Sequence, residues 1–174
     1  MLRTIDYSST NNRKKAKISD YMNQFYNENV SCIKINKCKR EHILYIGYEN
    51  GNLIKWNIDQ NDLAHDFGNI HNDMINLILI VNQHEENVFI TVGYDRVMKM
   101  YDNAKHKLIH NFDVIHSDII QDVIYYRDTK NHDLKYLITA SEDKSIKIFN
   151  FSTKELLQTF DNQISGPISL EVFE

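Results

Sequence analysis

Glycine, proline, cysteine and tryptophan are all scarce in this chain of 174 residues, at five, one, two and one copies. Two cysteines, Cys32 and Cys38, are too few for a disulfide framework, and their spacing fits no metal motif. They are expected as reduced, structural thiols of an intracellular protein. No stretch approaches the roughly 20 apolar residues that a membrane helix needs. The best, Met74 to Val81, is interrupted by Asn76 and has only strand length. The N-terminus lacks the basic, apolar and small-residue order of a secretory signal, so a cytoplasmic or nuclear protein is expected. A net charge of -4 offers no general surface for nucleic acid. Signatures of chemistry are missing too: there is no nucleophile elbow, no phosphate-cradling glycine loop and no His-Glu-x-x-His helix. Five glycines and one proline are few for a chain rich in turns. Asparagine is abundant and replaces glycine best in left-handed positions, so the turns are expected to be built from Asn and Asp.

What the chain does have is repetition. Three segments share one pattern: Gly47 to Asn57, Val92 to Asp102 and Ala140 to Asn150. Each runs from small or tight-turn residues through an Asn or Asp and a strand to an aromatic followed by Asn or Asp. The closing aromatics lie at 56, 101 and 149, in steps of 45 and 48. A period of roughly 40–50 residues marks the blades of a propeller. A second series runs in phase: Phe67, Phe112 and Phe160 have the same two steps, and His71 and His116 each follow four residues after a Phe. Each unit divides into four strands. The spacing predicts Ser31–Asn36, His42–Tyr48, Leu53–Ile58 and Asp62–Phe67 in the first. It predicts Ile75–Ile80, Val88–Gly93, Val97–Tyr101 and Lys107–Phe112 in the second, and Ile119–Tyr126, Lys135–Ser141, Ser145–Asn150 and Leu156–Phe160 in the third. Apolar runs such as Leu77 to Val81 suit middle strands covered on both faces. His106 and His110 fall around a turn and a strand, so their spacing of four makes no helical metal site.

These units resemble WD repeats, the blades of a β-propeller. The Gly-His dipeptide of that family appears as Ile70-His71 and Ile115-His116, and its Trp-Asp as Trp56-Asn57, Tyr101-Asp102 and Phe149-Asn150. The resemblance implies an all-β fold of three four-stranded antiparallel blades, at about 31–70, 71–115 and 116–163, then the first strand of a fourth within Gly166–Phe173. It also implies a buried hydrogen-bond network in each blade, made of a His, a turn Asp, a strand Ser or Thr and the Trp. The matching groups are His71, Thr91, Asp95 and Tyr101 in the second unit, and His116, Thr139, Asp143 and Phe149 in the third. Phe149 has no donor, so the third network should hold three members at best. In the first unit Trp56 has the right ring, but Asn50 replaces Asp and no His precedes that unit at the right distance.

A propeller closes with typically 4–8 blades. Three blades therefore imply a piece of a longer protein, an incomplete gene product, or a subunit whose ring another chain completes. Residues 1–30 differ in character. They carry a basic run, Arg13 to Lys17, which reads as a nuclear address or a solvated cluster, and apolar side chains at 18, 21, 22 and 25 in helical spacing. A short helix and a disordered leader both fit. The resemblance implies a non-enzymatic scaffold without metal or cofactor, binding protein partners through one rim of the ring. The positions it points to are Glu49, Tyr94 and Glu142 beside the turns, and Met74, Asn76, Ile119 and Gln121 at the openings of the first strands. The alternative is the propeller portion of a larger enzyme or regulatory complex that positions its substrate.

Overall fold

The computed structural model describes residues 28–37, 41–83, 85–161 and 169–171. Twelve strands form three antiparallel sheets, each a meander in which a strand pairs with its sequence neighbours. The first blade holds β1 (Val30–Lys37), β2 (His42–Tyr48), β3 (Asn52–Asn57) and β4 (Asp62–Asn69). The second holds β5 (Ile75–Gln83), β6 (Glu86–Gly93), β7 (Val97–Asp102) and β8 (Leu108–Val114). The third holds β9 (Ile120–Arg127), β10 (Lys135–Ser141), β11 (Ile146–Asn150) and β12 (Leu156–Phe160). The three sheets do not close into a ring. Ser169–Glu171, the described part of the expected fourth opening strand, are not in a strand. The rest of that segment, residues 1–27 of the N-terminal leader and Cys38 lie outside the described residues, while Val30 opens β1. Among the described residues no helix is long and apolar enough to cross a membrane.

The turns answer the shortage of glycine. Equivalent turn positions in the three blades take a positive φ: Gly51 at 83°, Arg96 at 65° and Lys144 at 67°. One residue earlier, the side chains of Asn50, Asp95 and Asp143 accept the amide two positions on, at 3.0, 3.2 and 2.9 Å. The second turn repeats the device. Asn61, His106 and Lys154 take φ of 52°, 58° and 70°. There the Asn or Asp after each closing aromatic is the acceptor: Asn57 takes the Gln60 amide, Asp102 those of Ala104 and Lys105, and Asn150 those of Ser152 and Thr153. The expectation that Asn and Asp would occupy the left-handed positions is thus corrected. At these two turns only Asn61 does. The others act as acceptors ahead of the strained residue, offsetting a cost of about 1–2 kcal/mol for a left-handed non-glycine residue.

Side chains alternate, so each sheet offers one face to each neighbour. Ile43, Tyr45 and Leu53 of the first blade pack on Ile75, Ile78, Phe89 and Tyr101 of the second. The opposite face of the second, with Val88, Ile90, Val92, Met98 and Met100, packs on Ile120, Val123, Leu137 and Phe149 of the third. Leu77 to Val81 belong to β5, the first strand of its blade as the spacing predicts, and this edge strand carries the apolar run of one covered on both faces. Their cover comes from the neighbouring blades, which β5 contacts through β1 and β9. The inner strands are stitched as well: Ser31 Oγ donates to the Ile75 carbonyl at 2.6 Å, and Asn76 Nδ2 to that of Ile120 at 2.8 Å. On the far side of the third blade, Tyr126, Tyr136, Ile138, Ile148 and Leu157 line an apolar groove of about 440 Å³.

Candidate functional site

In the second blade, His71 is buried in the link between β4 and β5. Its Nδ1 lies 2.9 and 3.0 Å from the carboxylate oxygens of Asp95, and its Nε2 lies 2.9 Å from Thr91 Oγ1. A carboxylate only accepts, so the contacts assign the proton to Nδ1 and leave Nε2 to accept from the Thr91 hydroxyl. Asp95 also accepts the amides of Asn72 and Val97 at 3.0 and 3.2 Å. Burial pushes this carboxyl up, but the hydrogen bonds from His71, Asn72 and Val97 outweigh it and hold it below its ordinary value. Gly93 is required beside the pair. A Cβ there would lie 2.5 Å from Asp95 Oδ1 and 2.7 Å from His71 Nδ1.

The third blade repeats the arrangement with one addition. His116 Nδ1 lies 2.9 Å from Asp143 Oδ2, and its Nε2 lies 2.8 Å from Thr139 Oγ1. Ser145 joins them, its hydroxyl 2.6 Å from Asp143 Oδ1 and 3.0 Å from His116 Nδ1. Four residues therefore take part where the lack of a donor on Phe149 suggested three at best. Ser145 was hidden because its counterpart in the second unit is Val97. Burial depresses the His116 imidazole, and Asp143 offsets only part of that. Burial also opposes ionisation of Asp143, yet the bonds from Ser145, Ser117 and His116 hold it well below the usual carboxylate range.

Tyr101 stands apart from the second network. It pairs with Phe89 across β6 and β7, and the two rings stack at 5.0 Å with 7° between their planes. Burial alone pushes its hydroxyl up to about 12. Among the described residues it makes no hydrogen bond to His71, Thr91 or Asp95. In the first blade Trp56 is buried opposite Leu44, and Tyr48 and Asn50 occupy the places of Gly93 and Asp95. Two lysines that the sequence reading passed over complete the pattern. Lys99 and Lys147, each two residues before a closing aromatic, donate to the carbonyls of Ile70 and Ile115 just ahead of the histidines.

Main-chain bonds at the turns form a rim. The amides of Glu49, Tyr94 and Glu142 donate to the carbonyls of Asn29, Met74 and Ile119 at 3.0, 2.8 and 2.9 Å. Turn residue and strand opening are thus clamped together at equivalent points in all three blades, and Asn29 is a position the sequence reading missed. Glu49 and Glu142 are exposed, while Tyr94, Met74, Asn76, Ile119 and Gln121 are half-buried. Asn76 is committed to the third blade through Ile120, and Gln121 donates to Glu142. Tyr94, Met74 and Ile119 are left as the large apolar surfaces of this rim. Among the described residues no cluster of three metal-ligating side chains occurs. His106 and His110 point to different partners, the first stacked on His65 and the second against Phe112.

Solved structures with the same arrangement include the WD40 propeller domain of Doa1, with a TM-score of 0.57 and 22% identity over 79% of this chain and 41% of that one. The fold is that of WD40 propeller blades. The computationally designed Ika8 protein gives a TM-score of 0.65 at 17% identity, over 83% of this chain and 40% of its own. Among curated proteins the chain is similar to Protein HIR1 of Kluyveromyces lactis, 27% identical over 122 residues, and to Protein HIR1 of Eremothecium gossypii, 28% identical over 116. These matches take in 70% and 66% of this chain but only 12% of either relative. No family model matches.

Proposed function

We propose that this chain is three blades of a non-enzymatic protein-interaction scaffold. Further blades, in the same longer protein or in another chain, would complete its ring. The observation that carries this reading is the division between the networks and the rim. The chemically capable groups, His71, Asp95, His116 and Asp143, are spent on one another inside the blades. Tyr94, Met74 and Ile119 sit half-buried at repeated main-chain clamps. Tyr and Met are favoured anchors at interfaces, and the exposed Glu49 and Glu142 add charge selectivity more than affinity. The setting proposed is the cytoplasm, with the nucleus as the alternative raised by the basic run.

Affinity capture from cells with the parent chain, a Tyr94→Ala, Met74→Ala double variant and an Asp95→Ala variant tests this. A partner captured by the parent should be lost from the rim variant while its circular dichroism melt stays unchanged. Capture that survives the rim changes, or a rim variant that unfolds, overturns the division. A second reading, a propeller portion that positions substrate for a larger enzyme or regulatory complex, draws on one fact: the matched stretch is 12% of the relatives' length. A catalytic domain elsewhere in the complete reading frame would favour it.

A further inference from the structure

The lysine of the first blade is displaced by one residue. Lys99 and Lys147 stand two places before the closing aromatics, but Lys55 stands immediately before Trp56. In a strand one step reverses the face, so Lys55 pairs with Tyr45 and projects into the interface between the first and second blades. It is 3% exposed. Its Nζ donates to the carbonyl and the side-chain oxygen of Asn103, at 2.8 and 2.7 Å, and Tyr45 donates to the same side-chain oxygen. The rings of Tyr45, Phe67 and Phe89 lie 5.0, 5.5 and 5.0 Å from Nζ. Among the described residues no carboxylate lies within ion-pair distance of it. An ammonium has three N–H donors, and these contacts use two.

A pocket of about 570 Å³ opens over this lysine, with Asn57, Asn82, Asn87 and Asn103 among its walls. A volume of this order suits a small ligand or an inserted side chain. We propose that the pocket binds a carboxylate, with the Lys55 ammonium as counter-ion and the asparagine amides as additional donors. One cation amid neutral amides matches a single negative charge. Glu41, on the same wall, disfavours a dianion such as phosphate. The charged groups facing Lys55 are Asp102, Glu41, His65 and His106. Burial pushes the Lys55 amine down to about 8, with Asp102 and Glu41 pulling the other way, so at neutral pH the ammonium dominates. The rings of His65 and His106 stack at 4.1 Å beside it, and burial, then the charge of Lys55, depresses both imidazoles. A bound carboxylate would relieve that repulsion.

The test uses the full 174-residue chain, titrated with propionate, with a blocked Ala-Glu-Ala peptide and with inorganic phosphate. Side-chain amide and imidazole NMR signals are followed. The expected result is saturable binding of at least one carboxylate, an upward shift in the His106 titration, and binding weakened at least about tenfold in Lys55→Met. Binding of propionate alone identifies a free acid as the ligand. Binding of the peptide identifies an acidic side chain of a protein partner. Absence of saturable binding to either, equal affinity for phosphate, or unchanged affinity in Lys55→Met overturns the proposal. The His106 shift needs no variant and holds the test even if Lys55→Met fails to fold.

Discussion

Between the first and second blades stand Tyr45, Lys55 and Asn103; at the corresponding places between the second and third stand Ile90, Met100 and Phe151. The backbone is the same in both: Tyr45 pairs with Lys55 as Ile90 pairs with Met100. One interface is filled by apolar contact, with Phe112 edge-on to Phe149 and Phe151 edge-on to Tyr125. The other holds a cation, and the residues around it have changed together to receive it. Lysine is present at both, but between the second and third blades it lies at the margin, where Lys135 pairs with Glu86 at 2.7 Å. A buried charge survives only with acceptors supplied to it. The comparison shows that one blade geometry accommodates either filling, a cation held by an asparagine or an apolar set, each with its own contacts.

The sharpest way to break the comparison is Met100→Lys. It puts an ammonium into the second interface with Phe151 where an asparagine acceptor is needed, and should cost about 3 kcal/mol or more, or abolish folding. Adding Ile90→Tyr and Phe151→Asn should recover part of the loss. Urea midpoints measure both. Next in size, Asp95→Ala leaves His71 buried without its acceptor and should cost about 1–3 kcal/mol. A loss below the error of the melt would show that the pair does not stabilise the blade. Lys55→Met carries the opposite sign: replacing the buried cation by the residue of the other interface should stabilise by about 1–3 kcal/mol.

The same lysine makes stability depend on pH. Its amine titrates at about 8 in the folded chain against 10.5 unfolded. Between those values the unfolded chain holds more protons, so stability rises with pH. Tyr101, pushed from 10.0 up to about 12, acts in reverse and lowers stability above pH 10. Denaturant melts should therefore rise from pH 8 to about 10, and Lys55→Met should flatten that rise. The smallest effect is that of Tyr94→Ala, within about 0.5 kcal/mol of the parent, since its side chain lies outside both interfaces. A larger loss would move Tyr94 from the rim into the packing.

The strands were legible because the period is carried by residues with strong local preferences, such as the aromatic–Asn/Asp ends and the alternation through β7. The His–Asp–Thr contacts could be anticipated because the three residue types recur at matching offsets in two units. What stayed hidden depends on which face a side chain takes. Lys55 and Lys99 look alike in sequence, and one step of register sends them to opposite sides of their sheets. Tyr101 was matched to a hydrogen-bonding position, yet its ring is drawn to Phe89 and Phe67, where burial outweighs any bond its hydroxyl could make. Ser145 was invisible for a simpler reason: a network member can come from a residue that does not recur.

The meander itself bears on the chain entropy of folding. In every blade a strand finds its partners immediately before and after it in the chain, across turns closed by their own Asn and Asp side chains. Pairings of this kind close short loops, which cost less chain entropy than pairing distant strands. Register within a blade is therefore set by contacts local to that blade. What remains for the docking of blade on blade is the alignment of separate units, and there the buried lysine meets its asparagine.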